Sequence, residues 1–383
     1  MKVIAYYLPQ FHRIPENDEW WGEGFTEWTN MKAAKPLFDG HYQPRVPLNN
    51  DYYDLMDVNV MRKQASMAKN YGVYGFCFYH YWFDGKLLLQ KPVENYLKEI
   101  DIDFPFCISW ANEHWTNQWV SSQRKVLIEQ RYGTETEWKA HFEYLLPFFR
   151  DPRYIKYNGK PLFVIYRPDI IDCRGEMLSC WDKYAKAEGF PGICFISQRA
   201  ESILDNKRID LSMFDYISSY QPSLALTRIW NSKNKLDGVH KAKRKFAIFL
   251  EKHFKIDANS LRIPNRNTGV KKYNYDEVWN QVLTNCDLVE NQIPCGFTSW
   301  DNTPRRKEQG YIIDGVTPEK FGFYMKKLIE KAKESYPTDY IFLFAWNEWA
   351  EGGYLEPDER YSYAFLEALR DALIETGEIH KIA

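Results

Sequence analysis

Ile341-Phe342-Leu343-Phe344-Ala345-Trp346-Asn347-Glu348-Trp349-Ala350-Glu351 decides how the whole chain is read. The stretch opens with apolar, uncharged residues and then turns abruptly polar. A continuous apolar run bounded by polar residues is the mark of a strand buried on both faces, as parallel strands covered by helices are. Directly past its carboxyl end stand two acids, Glu348 and Glu351, among indoles and an amide. Two carboxyl groups can share acid and base work on a glycosidic bond, one donating a proton while the other removes one or attacks. Carboxylates set beside indoles suit a sugar site, although a single Glu here would equally well cap the segment that follows.

The same rhythm runs outward through the chain. Apolar runs at 3–7, 73–79, 104–110, 161–166, 193–197, 216–220, 295–300 and 340–346 predict eight strands. Helical spacing predicts helices at 57–71, 92–100, 135–149, 176–188, 275–284, 318–336 and 361–377. Strands alternating with helices pair in parallel, and eight of them close into a filled barrel. The fold expected is therefore α/β, a single (β/α)8 TIM barrel over 1–383 with long loops on its catalytic face. An open doubly wound sheet would need a glycine-rich turn after its first strand, and Leu8-Pro9-Gln10-Phe11 is nothing of the kind. After that strand the chain reads as a long loop without regular structure to about Asn50, a length that usually signals function.

One interval breaks the repeat. Residues of about 224–272 read as a basic helical insertion between strands six and seven, with 12 Lys or Arg against 3 acids from Asn231 to Lys272. Lys241, Lys243, Arg244 and Lys245 could meet an anionic glycan or a lipid headgroup. Phe246, Phe249, Leu250 and Phe254 form an apolar stripe on the same segment, so an ordinary solvated helix face is the preferred reading of the charges.

Composition narrows the classes of function. With 45% hydrophobic and 27% charged residues the chain can bury a large core, and its net charge of -2 argues against nucleic acid as a partner. No run of 18 apolar residues offers a membrane span. Seven cysteines stand apart without Cys-x-x-Cys spacing, and Cys77, Cys107, Cys194 and Cys295 fall in apolar runs where thiols stay reduced. The location expected is cytoplasmic, or periplasmic if a leader has been removed. Of the 14 Trp, ten fall in stretches at or just after strand ends, where flat apolar rings could meet the faces of sugars.

Loops after strand ends build the active sites of such barrels. Candidate substrate-binding residues are accordingly Tyr7, His12, Trp20 and Trp28 at and after the first strand, and His80 and Trp82 after the second. Trp110, Asn112, Glu113 and Trp115 follow the third strand, Trp300, Asp301 and Arg305 the seventh, and Trp346, Asn347 and Trp349 the eighth. Glu19, Glu27 and Arg305 suit a structural role in the loops as readily as a functional one. His12, His80 and His114 could converge on a metal, but no His-x-His spacing exists; they are read as hydrogen-bonding groups, and neither metal nor cofactor is expected. The chain also lacks a Gly-x-Ser-x-Gly elbow and a phosphate-binding loop.

Four blocks together carry a resemblance: Tyr6-Tyr7-Leu8-Pro9-Gln10-Phe11-His12, Glu16-Asn17-Asp18-Glu19-Trp20-Trp21-Gly22, Gly24-Phe25-Thr26-Glu27-Trp28-Thr29-Asn30 and Trp346-Asn347-Glu348-Trp349-Ala350-Glu351-Gly352. They resemble the WbsX-like group, which is related to glycoside hydrolase family 99, the endo-alpha-mannosidases. The link to the mannosidases rests mainly on the barrel and on Trp-Asn-Glu-Trp-x-Glu. The resemblance implies retaining hydrolysis of alpha-mannose-like or alpha-rhamnose-like linkages in a bacterial polysaccharide, through a 1,2-anhydro sugar formed by the substrate's own 2-hydroxyl. It implies Glu348 as the base on that hydroxyl and Glu351 as the acid on the leaving oxygen. Members of the group also bear the label of glycosyltransferases of lipopolysaccharide, O-antigen or capsule biosynthesis. A glycosyltransferase is thus the alternative expectation, and a non-catalytic glycan-binding barrel the second alternative.

Overall fold

The structure, a computed structural model, describes residues 1–116, 126–199, 212–233, 269–284 and 291–380. Its centre is a parallel barrel of eight chain segments: β1 (Lys2–Tyr7), β2 (Val73–Phe83), β3 (Phe106–Trp110), β4 (Lys160–Ile165), β5 (Cys194–Arg199), β6 (Tyr216–Ser219), β7 and β8 (Tyr340–Phe344). β7 comes in two pieces, Gln292–Ile293 and Cys295–Phe297. The hydrogen-bonded order is β6-β5-β4-β3-β2-β1-β8, and β7 joins the two ends. Its first piece pairs with β6 through Ile217↔Gln292, and its second with β8 through Cys295↔Phe342. Pro294 stands between the pieces, and a residue without an N–H cannot donate to a ladder, so the strand changes partner there. The Pro294 carbonyl still accepts from the Phe342 amide at 3.0 Å.

Period-two alternation explains which residues fill the barrel and which cover it. Tyr6 stacks on Tyr79 of β2 and Phe342 of β8 and meets Tyr220 edge-on beyond β6, a set of neighbours found only across the interior. Tyr7, next along β1, faces the other way and donates to Gln64 at 2.5 Å.

Gln64 belongs to α3, one of eleven described helices. These are α1 (Pro15–Trp21), α2 (Glu27–Ala33), α3 (Val58–Asn70), α4 (Lys91–Lys98), α5 (Glu135–Arg150), α6 (Arg174–Ala187), α7 (Ser223–Lys233), α8 (Tyr275–Thr284), the short α9 (Thr303–Arg306), α10 (Pro318–Ser335) and α11 (Ala364–Glu375). Local chemistry sets their starts. Thr134 and Glu137 close a capping box on α5, and Thr317 accepts from the Lys320 amide ahead of Pro318 on α10. None of the described helices is long and apolar enough to cross a membrane.

Three sequence expectations change. The segment leading to Asn50 is not without regular structure, since α1 and α2 lie within it; α2 packs on α9 and on the turn Trp349–Glu351. β2 runs on to Phe83 because its last residues pair with Lys86–Leu88, so His80 and Trp82 lie in a strand, not after one. The start of the expected insertion is α7, a regular barrel helix packed on α8 through buried Leu224, Ala225, Leu226 and Ile229. Lys271–Asn274, at its far end, pairs with Tyr311–Asp314. Residues 234–268, with Lys241, Lys243, Arg244 and Lys245, lie outside the described residues.

The turn from α3 into β2 depends on Gly72, at φ 84°, where a Cβ would come within 2.7 Å of Leu373 on α11. Gly72→Ala adds both a left-handed strain and a clash at a helix contact. Chemical denaturation of this variant is expected to show a loss of about 1–3 kcal/mol.

Candidate active site

Three loops meet at the mouth of the barrel where its strands end, and they bring four charged side chains together. Glu348 and Glu351 come from the chain just past β8, Arg305 from α9 after β7, and Glu27 from α2 after β1. All four are buried: Glu27, Glu348 and Glu351 are 5%, 5% and 7% exposed, and the Arg305 side chain 8%. The Arg305 Nη1 donates to Glu351 Oε1 at 3.0 Å and Nη2 to Glu27 Oε2 at 2.9 Å, while Glu348 Oε2 stands 3.9 Å from Nη2. Glu348 Oε2 has no hydrogen-bond partner among the described residues.

One guanidinium therefore faces three carboxyls, too little positive charge to keep all of them ionised out of water. Burial pushes the Glu348 carboxyl well above the usual range; the Glu351 charge adds to this and Arg305 opposes it. Burial also raises Glu351, with Arg305 and Arg306 opposing. Two interacting carboxyls of this kind titrate as a pair, and burial with mutual repulsion favours their protonated forms relative to isolated ones. Tyr79 and Tyr81 of β2 and Tyr220 beyond β6 look onto the pair, their hydroxyls raised first by burial and further by its charge.

A second layer fixes the loop that carries the pair. Asn347 clamps β1's exit, its Oδ1 accepting from the Leu8 amide at 2.7 Å and its Nδ2 donating to the Leu8 carbonyl at 3.0 Å. Asp301 accepts from His41 at 2.9 Å, Gln43 at 2.7 Å and the Thr303 hydroxyl at 2.6 Å, and its own amide donates to the Glu351 carbonyl at 2.7 Å. Gly352 turns the chain at φ 64°, where a Cβ would lie 2.9 Å from the Asp301 nitrogen. Behind Trp349, Glu356 accepts from the Trp349 indole at 2.7 Å, Tyr53 at 2.8 Å and Gln64 at 2.6 Å. Burial brings its carboxyl up to about 7 in spite of these donors.

The structure separates the sequence candidates into those that face the mouth and those that hold it. Arg305 contacts the pair directly. Trp20 and Trp115 are partly exposed, their rings 6.2 Å apart, and Tyr81 packs edge-on against Trp115. Trp28, Trp82, Trp110, Trp300, Trp346 and Trp349 are at most 8% exposed, and this departs from the expectation that they present platforms to a sugar. Trp349 stacks on Tyr354 with centroids 3.8 Å apart, Trp300 stacks on Tyr311, and Trp82 stacks on His141. Their indoles pack loops onto the barrel, a role the sequence alone cannot tell from a platform.

Several polar candidates likewise hold structure. Tyr7 is bonded to Gln64, and Asn112 clamps Arg167 by accepting from its amide at 2.7 Å and donating to its carbonyl at 2.8 Å. Glu113 pairs with the Arg167 guanidinium at 2.6 Å. The three histidines do not converge: His80 shares a hydrogen bond with His141 at 2.8 Å, His114 accepts from the Gln130 amide, and His12 lies buried beneath the first loop. Burial lowers His80 to about 3 and also lowers His12, so both are neutral.

Sequence reasoning passed over Glu356, His41, Gln43, Tyr79, Tyr81 and Tyr220, and left Glu27 undecided. The tyrosines carried a usable signal: at the ends of strands β2 and β6 they take inward-facing positions. Nothing local marks Glu27 or Glu356, because both are defined by partners about 280 to 300 positions away in the chain.

Against known proteins, a family model described as Glycosyltransferase WbsX matches residues 3–369. Two proteins of Xanthomonas campestris pv. campestris, from strains B100 and ATCC 33913, are 32% identical over 379 residues; each is named WxcX and described as uncharacterized. The match covers 98% of this chain and 50% of theirs, so the chain spans about half the length of the curated relatives it matches. Among solved structures, a GH99 endo-alpha-mannosidase of Bacteroides thetaiotaomicron in complex with bis-tris-propane superposes with a TM-score of 0.54 at 16% identity, covering 98% of this chain and 97% of that one. A protein described as glycoside hydrolase-like superposes with a TM-score of 0.58 at 12% identity, covering 97% and 93%. At such identities the superpositions speak for the barrel fold alone.

Asp301 offers a test of the second layer. Burial alone would raise its carboxyl, but the bond from His41, with Arg45, Thr303 and Gln43, brings it from 3.8 down to about 2. A carboxyl lowered on folding adds stability that is present above its unfolded pKa and disappears as pH falls through the folded one. Asp301→Asn is expected to cost about 2 kcal/mol at neutral pH. Urea titrations of parent and variant should converge as pH approaches 2.

Proposed function

The chain belongs to the WbsX glycosyltransferase family, and from that premise we propose that it is a retaining glycoside hydrolase. Its substrates are alpha-mannose-like or alpha-rhamnose-like linkages of a bacterial polysaccharide. The observation that carries this reading is the buried pair Glu348 and Glu351 at the barrel mouth, raised together and facing a single guanidinium. A buried pair that retains one proton contains both an acid and a base, and cleavage of a glycosidic bond needs one of each. Trp20 and Trp115 supply half-exposed indole faces for the flanking sugars.

In the proposed reaction, Glu348 takes the proton of the substrate's 2-hydroxyl, and that oxygen forms a bond to the anomeric carbon on the face opposite the leaving group. Glu351 gives its proton to the leaving oxygen as the glycosidic bond breaks. Water then opens the 1,2-anhydro sugar: Glu351 takes the water's proton, the new C–O bond forms at the anomeric carbon, and Glu348 returns a proton to the 2-oxygen. Two inversions give net retention. The unbonded Glu348 Oε2 suits a hydroxyl partner. In the resting site Arg305 holds Glu351, and a guanidinium-bonded carboxylate is a poor acid, so the proton passes to Glu351 as substrate enters and Arg305 releases it.

The description of the family supports a second reading, transfer of a sugar from a nucleotide donor by the same barrel. Free thiols at six described cysteines, four of them buried, support a reducing, cytoplasmic setting for either reading.

Purified protein incubated with alpha-mannan-like or alpha-rhamnan-like polysaccharides and no nucleotide sugar is expected to release new reducing ends. Activity only on addition of a nucleotide sugar would move the protein to the transferase reading, and glycan binding without turnover to a lectin-like one. Glu348→Gln and Glu351→Gln should each lower turnover by about 100- to 10,000-fold with unchanged circular dichroism.

Participation by the 2-hydroxyl has a sharper signature. Product should retain its anomeric configuration, no sugar should become attached to the protein, and 2-O-methyl substrates should resist cleavage. A covalent sugar on Glu348, detected by mass spectrometry, would replace this step with an ordinary carboxylate nucleophile.

A further inference from the structure

The proposed chemistry needs a pair of carboxyls that holds one proton at neutral pH, yet a guanidinium alone beside two glutamates would tend to ionise both. Resting on that reading of the site, we propose that Glu27 is the positioning residue that keeps the Glu348–Glu351 pair singly protonated, by engaging one arm of Arg305.

Three observations carry this. Glu27 accepts from Nη2 at 2.9 Å, while Glu351 accepts from Nη1 at 3.0 Å. With Nη2 so engaged, Glu348 Oε2 stays 3.9 Å away and accepts no hydrogen bond among the described residues. Glu27 is itself 5% exposed, on a helix that packs against both α9 and the turn Trp349–Glu351, so its charge acts on the pair through protein rather than through water. Among the described residues, the other charged or titratable groups toward the pair are Arg306 on α9, Tyr79 and Tyr81 on β2, and Tyr220 beyond β6. Burial raises all three tyrosines well past neutrality, which leaves Glu27, Arg305 and Arg306 to balance the pair. Each glutamate is raised by Glu27 and lowered by Arg305.

Loss of the Glu27 charge acts twice in one direction. It removes a repulsion that favours the protonated pair, and it removes the bond that holds Nη2 of Arg305 3.9 Å from Glu348. The structural alternative is that Glu27 merely ties α2 to α9, and then its replacement would alter stability without moving the pair's titration.

Infrared titration of the full-length protein, with Glu carboxyls isotope-labelled, separates the two without any substrate. The parent should show a protonated carboxyl near neutral pH that Glu348→Gln or Glu351→Gln removes; Glu356 contributes its own band, which those variants leave in place. In Glu27→Gln the pair's apparent pKa should fall by about one unit or more. Glu27→Asp, which keeps a charge beside Arg305, should retain the parent titration more nearly than Glu27→Gln does. If Glu27→Gln does not fold, Arg305→Gln takes its place, and the same balance demands an upward shift. A parent without the pair's band, an unmoved titration in Glu27→Gln, or an unmoved or lowered one in Arg305→Gln overturns the proposal. Since no turnover is measured, failure of the hydrolase reading would show separately, in the reducing-end assay. Once a substrate is cleaved, the high-pH limb of kcat for Glu27→Gln should move down by the same amount while KM changes little.

Discussion

A buried guanidinium shared among carboxyls from separate loops is the contact on which the mouth of this barrel depends. Placing charges out of water costs several kcal/mol per ion, and only close partners with good geometry recover that cost. Arg305 meets the condition by bonding Glu27 and Glu351 at once, which ties the loops after β1, β7 and β8 to each other. Three carboxyls face this one buried guanidinium, and burial raises both Glu348 and Glu351 against the opposition of Arg305, with Arg306 also opposing at Glu351.

Around this centre a layer of neutral and fully bonded groups keeps the loops in register. Asn347 replaces a stretch of backbone pairing where β8 has ended, and bonds both the N–H and the C=O of Leu8. Asp301 is saturated with donors and so remains ionised, in contrast with Glu348 a few residues along the next strand's exit. Two acids of similar burial are shifted in opposite directions: Asp301 accepts from three side chains, whereas Glu348 Oε2 accepts from none among the described residues. Glu356 lies between these extremes, with three donors and burial strong enough to lift its carboxyl to about 7.

The aromatic residues teach a related lesson. Indoles gathered at strand ends suggest sugar platforms, yet most of them here are packing pieces for a thick layer of loops, stacked on Tyr354, Tyr311 or His141. Long loops above a barrel need a core of their own, and Trp fills one with few rotatable bonds. Trp20 and Trp115 remain partly exposed, unlike the indoles packed beneath the loops.

Much of the fold was legible in the sequence because barrels of this class write their period plainly. Buried parallel strands are short apolar runs, helices between them show one apolar face, and both patterns are local. The apolar run at 341–345, with the acids beyond it, located the eighth strand and the Glu348–Glu351 pair for the same reason. α1 and α2 escaped because they are short helices packed on loops, and α7 because basic neighbours masked its apolar face. What only the tertiary structure decided is which distant groups meet: that β7 changes partner at Pro294, that Glu27 reaches Arg305, and that Glu356 stands behind Trp349. Residue type determines what a side chain can donate, accept or bury, but its protonation and role depend on neighbours brought from hundreds of positions away, and no local pattern encodes those.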